Sequence, residues 1–435
     1  MLTSTFANRT KMRPDALNPR GWMFFSLFIL AVTVAGLGCL LSHPGLWLEE
    51  IAQFFTALGV QRGQVAAVQQ QSLSNLVAQS NQHLLDPVGY TLMLYGWQAV
   101  STAATWLRLL PLIGFLGMLA TGYRILRCSE VPKAEAVLLI SLFAFSPLLY
   151  TYATVLRPYS YEAWGTLFAL SVLYRYTPQK SVWWKFRTGL GMAFFLWMRY
   201  PFVVAAVVTG GLIFFKILSR KDQSVWRPFL FYLAPQIVSA VLIYVFCIRL
   251  QTIPDQAPDY TRSATLRYGV GFLLNPWTVF YHLSVLAFLA IVPFRERFRY
   301  PIHLGRFTLF TVLLFGSWTA LSTLGCLPSD PASRWGIGLA AVAMMCLLML
   351  LAVLLAYVPR YYKPWFYMLL AAVALTRPAL MAWRWHRDGT AGCRGTSVTT
   401  SLSQVIFDWP GHRFPGIQPF QKLKTVYALR TLPLK

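Results

Sequence analysis

The sequence predicts an all-α, multi-pass membrane protein, and three observations carry that prediction. Of the 435 residues, 57% are hydrophobic and only 12% charged, against roughly 25% charged in soluble domains. Apolar runs of the length that crosses a bilayer core, about 17–25 residues, recur along most of the chain. The basic residues behind the net charge of +24 gather between those runs. That is how topology determinants are distributed, and it argues against nucleic acid as a partner.

Residues 1–21 hold Arg9, Lys11, Arg13 and Arg20 against Asp15 and read as a cytoplasmic N-terminus. The run from about Trp22 to Leu41 outlasts the apolar core of a signal peptide and ends without a small-residue cleavage site, so an uncleaved first span is expected. The first outer loop, 43–107, follows. Ile51, Phe54, Phe55 and Leu58 repeat at helical spacing, and Val65, Val68, Leu73 and Leu76 share roughly one face among glutamines and serines. Both stretches fit amphipathic helices, either lying in the membrane interface or forming a soluble hairpin outside. Residues 88–105 read as a third interfacial or re-entrant helix, because counting them as a span would put Arg124, Arg127 and Lys133 outside, against the positive-inside rule.

Further spans are expected near 109–126, 134–151, 158–175, 184–198, 201–218, 229–249, 270–292, 307–325, 335–357 and 364–382. With the first, that makes about eleven in a transmembrane domain of residues 22–382. An outer loop covers 250–269, and a polar outer tail covers 383–435. In this threading Arg175, Lys180, Lys185, Arg187, Lys216, Arg227 and Arg306 fall among the cytoplasmic residues. Every basic residue on the outer side before the tail is an arginine, Arg108, Arg157 and Arg199 included. A guanidinium grips phosphate bidentately and tolerates burial better than an ammonium, so this bias hints at a bound phosphate. The six cysteines are scattered without C-x-x-C spacing, which suggests neither a zinc site nor a disulfide framework. A bridge between Cys326 and Cys393 stays open.

Four outer stretches carry polar groups that are costly beside a bilayer: "LWLEEIAQFF" with Glu49 and Glu50; "NQHLLDPVGY" with His83 and Asp86; "SPLLYTYATVLRPYSYEAW" with Arg157, Tyr159 and Glu162; and "FFLWMRYPFVV" with Arg199. Ionisable residues at such depths mark functional sites unless they form structural ion pairs between helices.

In order and spacing, the acidic pair after the first span, the "DP-x-x-Y" start of an interfacial helix and the "RPYS" opening a later span resemble the GT-C class of polyprenyl-phosphate-dependent glycosyltransferases. The likeness lies with the branch of protein O-mannosyltransferases and aminoarabinose transferases, and it covers roughly residues 20–220. It implies a GT-C-like fold and transfer, inverting at the sugar, from a polyprenyl-phosphate donor to a lipid, glycan or protein acceptor at the periplasmic or outer face. A bacterial inner membrane would be the setting.

In that family the acidic pair is Asp-Glu and its first member is the proposed base. Here Glu49 takes the Asp position and Glu50 keeps the Glu. The resemblance thus implies catalysis by Glu49 or Glu50, donor phosphate on Arg157, Arg199 and Tyr159, and orientation by Asp86, His83 and Glu162. Glu49 also fits a helix N-cap. No D-x-D follows the arginine motif, so no cofactor is assigned and a divalent metal lacks a motif. Other readings are a transporter or flippase of lipid-linked sugars, in which no inverted repeat is seen, and an O-antigen polymerase or ligase.

Overall fold

The computed structural model describes residues 48–59, 72–83, 86–144, 146, 149–150, 152–177, 179–219, 226–251, 276–293, 304–323, 336–359 and 361–370, with Gly38 and Ala372. The expected first span, the 250–269 loop beyond Gln251 and the 383–435 tail lie outside them. Every regular element among the described residues is helical. Three helices are long and apolar enough to cross a membrane: Ala104–Cys128, Trp226–Leu250 and Ile337–Tyr357. Shorter apolar helices include Phe202–Leu218, Val279–Ile291 and Gly305–Leu321.

Within residues 43–107 the described residues form α1 (Leu48–Ala57), α2 (Leu73–His83), α3 (Val88–Gln98) and the start of the next helix. Phe54 and Leu58 of the predicted α1 stripe are buried. Of the second predicted stripe, Val65 and Val68 lie outside the described residues; α2 begins at Leu73, three positions before Leu76 on the same face, with Leu73 53% exposed and Leu76 fully buried. Eleven residues of α3 rise about 16 Å, too little to span, in keeping with a non-spanning segment. α3 also ends earlier than expected, at Gln98. Trp97 and Trp106 stack there with centroids 4.6 Å apart, and each indole N–H donates to the other's carbonyl at 2.8 and 2.9 Å. This reciprocal lock pins the corner between α3 and α4 (Ala104–Cys128).

Next comes α5 (Lys133–Ala144), within the expected span 134–151. Leu149 and Tyr150 are also helical, with Tyr150 N donating to Ser146 O at 2.8 Å; residues 145, 147, 148 and 151 lie outside the described residues, and the chain at 152–158 is irregular. The remaining helices are α6 (Tyr159–Arg175), α7 (Val182–Met198), α8 (Phe202–Leu218), α9 (Trp226–Phe246), α10 (Pro276–Ile291), α11 (Leu304–Thr323) and α12 (Ile337–Tyr357). For 364–382 the described helix covers 363–370. It is tied to α5 by Lys363 Nζ, 2.9 Å from Glu135 Oε1, and by Tyr367 OH, which donates to the same oxygen.

The core is organised around α6, which packs against α4, α7, α8, α11 and α12 and is buried nearly all round. Its buried polar groups, Ser160, Glu162 and Thr166 among them, are therefore met by partners from the surrounding helices or from its own backbone. By contrast α9 packs chiefly on α7 and presents Leu230, Ile237, Val241 and Phe246 outward, each at least half exposed. An apolar face of that extent is foreign to a water-facing surface.

Candidate active site

Residues 156–162, "LRPYSYE", hold the site together. Pro158 opens α6, where a proline's missing N–H leaves no helical bond unmade, and its carbonyl accepts from Glu162 N at 3.1 Å. Ser160 Oγ donates to Pro111 O at 2.7 Å and Tyr161 OH to Leu110 O at 3.0 Å. Those two bonds fasten the first turn of α6 to the proline-bearing part of α4.

On one side of this segment stands Glu50, 1% exposed, with Arg108 of α4, 3% exposed. Arg108 reaches both oxygens, Nη2 to Oε2 at 3.0 Å and Nε to Oε1 at 3.4 Å, and Leu156 N donates to Oε1 at 2.9 Å. Beside it, Arg157 Nη1 donates to Gln53 Oε1 at 3.1 Å, and Gln53 Nε2 to Thr91 Oγ1 at 3.0 Å. Arg157 is half-buried, and its Nε has no hydrogen-bond partner among the described residues. The same holds for the hydroxyl of buried Tyr90.

On the other side stands Arg199. Pro201 stops α7 two residues later, leaving Arg199 as the extended residue that caps it. Its side chain turns inward and is 1% exposed. Nε lies 3.0 Å from Asp86 Oδ1, Nη1 lies 2.7 Å from Glu162 Oε2, and the guanidinium sits 4.7 Å over the Tyr159 ring. Burial opposes this charge, but Asp86 and Glu162 outweigh it and hold the guanidinium pKa above its usual value. Glu162 Oε1 accepts from Gly338 N at 3.1 Å, which satisfies one of the free N–H groups at the start of α12. A Cβ at Gly338 would lie 2.5 Å from Thr166 Oγ1 and 3.2 Å from that carboxylate. The close approach at Gly89, where a Cβ would lie 2.4 Å from Trp197 O, brings α3 against α7 and so Asp86 to Arg199. Asp86 has a side chain 10% exposed, and only Oδ1 is engaged among the described residues.

Six of the eight residues singled out from sequence thus meet around one segment: Glu50, Asp86, Arg157, Tyr159, Glu162 and Arg199. The backbones of Glu49 and His83 belong to α1 and α2, and their side chains lie outside the described residues. Sequence reasoning missed Arg108, Gln53, Tyr90 and Gly338. Arg108 carried a signal, as one of the outer arginines. The partners of Glu50 and Glu162 lie 58 and 176 positions away, and nothing local marks them. Among the described residues no three His, Cys, Asp or Glu side chains are grouped to hold a metal ion. Cys128, Cys247 and Cys346 are free thiols. Compared with known proteins, the chain matches no family model and no curated sequence.

Proposed function

We propose that the chain is a membrane glycosyltransferase of the GT-C kind, with about eleven spans, moving a sugar from a polyprenyl-phosphate carrier to an acceptor hydroxyl on the outer face of the membrane. The observation that carries this reading is the meeting of three carboxylates and three guanidiniums around residues 156–162, in a helical protein with membrane-length apolar helices.

The chemistry assigns them different tasks. The acceptor oxygen forms a bond to the anomeric carbon as the carbon–oxygen bond to the phosphate breaks. The acceptor proton passes to a carboxylate, and the phosphate gains charge. A base needs an oxygen that the substrate can reach. Asp86 offers one in Oδ2, whereas both oxygens of Glu50 are taken by Arg108 and Leu156 N. Asp86 is therefore the preferred base among the acids whose side chains are described, and Glu49 and His83 keep the roles that the resemblance implies for them. A departing phosphate needs a donor not already engaged by an acid. Arg157, with its unpartnered Nε and with Tyr90 OH nearby, fits that role. Arg199, paired to two carboxylates, holds Asp86 and Glu162 in place, and Tyr159 supports it from beneath. An apolar cleft of about 520 Å³ lined by Met93, Trp97, Trp106, Leu110 and Tyr161 borders the same turn of α6 and suits a carrier's hydrocarbon chain.

The test is transfer from a panel of polyprenyl-phospho-sugars by the purified full-length protein. Transfer by the wild type, lost in Asp86→Asn and in Arg157→Gln, is the expected result. Full turnover in both variants overturns the assignment.

A further inference from the structure

We infer, on the strength of the role proposed for Arg157, that Gln53, held by Thr91, is a positioning residue for the carrier phosphate. It fixes the Arg157 guanidinium without neutralising it, and so leaves one edge of a fully charged arginine for the phosphate to take. Two arginines are met from one face of α1, where Glu50 and Gln53 stand three positions apart. The carboxylate of Glu50 takes the Nε–Nη2 edge of Arg108, at 3.4 and 3.0 Å. The amide of Gln53 takes Nη1 of Arg157, at 3.1 Å. Arg108 and Arg199 are paired with carboxylates, whereas Arg157 is hydrogen-bonded, among the described residues, by an amide alone. A neutral acceptor orients a guanidinium and leaves its charge in place for a phosphate.

The amide can face only one way. A guanidinium has donors and no acceptor, so Gln53 must turn Oε1 to Arg157, which aims its Nε2 at Thr91 Oγ1, 3.0 Å away. Gln53 and Thr91 are each 1% exposed, so water does not compete for that bond.

With Nη1 tied, the edge left to Arg157 is Nε and Nη2, the same edge by which Arg108 grips a carboxylate. Nε is buried without a partner among the described residues, and so is the hydroxyl of Tyr90, 1% exposed and within electrostatic reach of Arg157. Buried donors are almost always bonded, and a phosphate diester supplies two acceptor oxygens together with the countercharge. The Tyr90 ring meets Tyr161 edge-on with centroids 5.9 Å apart, and Tyr161 lines the apolar cleft. A phosphate on this edge thus has a place for its hydrocarbon chain beside it, which favours a lipid phosphate over a free one.

The test is binding of a polyprenyl phosphate and of the matching polyprenol to the purified full-length protein, read by native mass spectrometry as the ratio of the two affinities. The wild type should favour the phosphate by about tenfold or more. Gln53→Glu keeps the side-chain length and both hydrogen bonds, because the Thr91 hydroxyl can turn to donate, but it neutralises Arg157. Phosphate affinity should then fall about tenfold or more, with polyprenol binding unchanged within about twofold. If Gln53 only held helices together, the new ion pair would hold them at least as well and the ratio would not move. Thr91→Val keeps the shape and frees the amide to turn; it should weaken the phosphate about fivefold and serves if Gln53→Glu does not fold. Undiminished preference in both variants, with preference lost in Arg157→Gln, overturns the positioning role and leaves Arg157 on the phosphate. Preference undiminished in Arg157→Gln as well, or absent in the wild type, overturns both.

Discussion

Two carboxylate–guanidinium clusters flank the same seven residues, and they are built on different plans. Glu50 and Arg108 form a closed pair, with one acid, one base, both oxygens engaged and almost no exposure. Asp86, Arg199 and Glu162 form an open cluster, in which two acids share one guanidinium and Asp86 keeps an oxygen and some exposure. A closed pair fixes geometry and has nothing left to offer a substrate. An open one can take a proton. The lesson is that the more deeply placed acid, Glu50, is fixed on both oxygens, while the more exposed Asp86 keeps one oxygen open for the chemistry proposed above.

Removing one member of the closed pair should have the largest effect on folding. Arg108→Leu takes the guanidinium from a buried carboxylate, which costs about 3–5 kcal/mol, and should be seen as a matching loss in chemical denaturation of the detergent-solubilised protein. Replacing both, as Glu50→Gln with Arg108→Met, should recover most of that loss, since a buried pair gives little net stability over a packed neutral one. If the double variant is no better than the single, the pair is not closed in the sense argued here.

In the open cluster the balance should reverse. Asp86→Asn keeps an acceptor for Arg199 Nε, and Glu162 still neutralises the guanidinium, so stability should fall by about 1 kcal/mol. Transfer should drop by about 10²–10⁴, the usual contribution of a positioned base. Arg157→Gln should lower turnover by about 10²-fold through weaker stabilisation of the departing phosphate, with unfolding unchanged within about 0.5 kcal/mol. The smallest effect belongs to Tyr159→Phe. The ring beneath Arg199 is kept, so transfer should stay within about threefold of wild type if the cation–π contact is what Tyr159 supplies. A large loss there would give the Tyr159 hydroxyl a direct part in the site.

Much of this comparison was legible in the sequence because its signals are local. Helix periodicity, apolar run length and prolines set α7, α8, α11 and α12 within a few residues of expectation. The costly polar groups beside apolar runs pointed to the residues that meet. What the sequence did not disclose is pairing. Glu50 and Asp86 look alike as acids beside an apolar stretch, and only tertiary packing makes one closed and the other open.

The central claim is that the open cluster does chemistry and the closed pair does architecture. Turnover of the folded Asp86→Asn protein and of the folded Glu50→Gln/Arg108→Met protein, measured side by side with the polyprenyl-phospho-sugar that the wild type uses, tests it most directly. The account predicts loss of at least a hundredfold in the first and activity within about tenfold of wild type in the second. Full activity in Asp86→Asn with none in the double variant would contradict it.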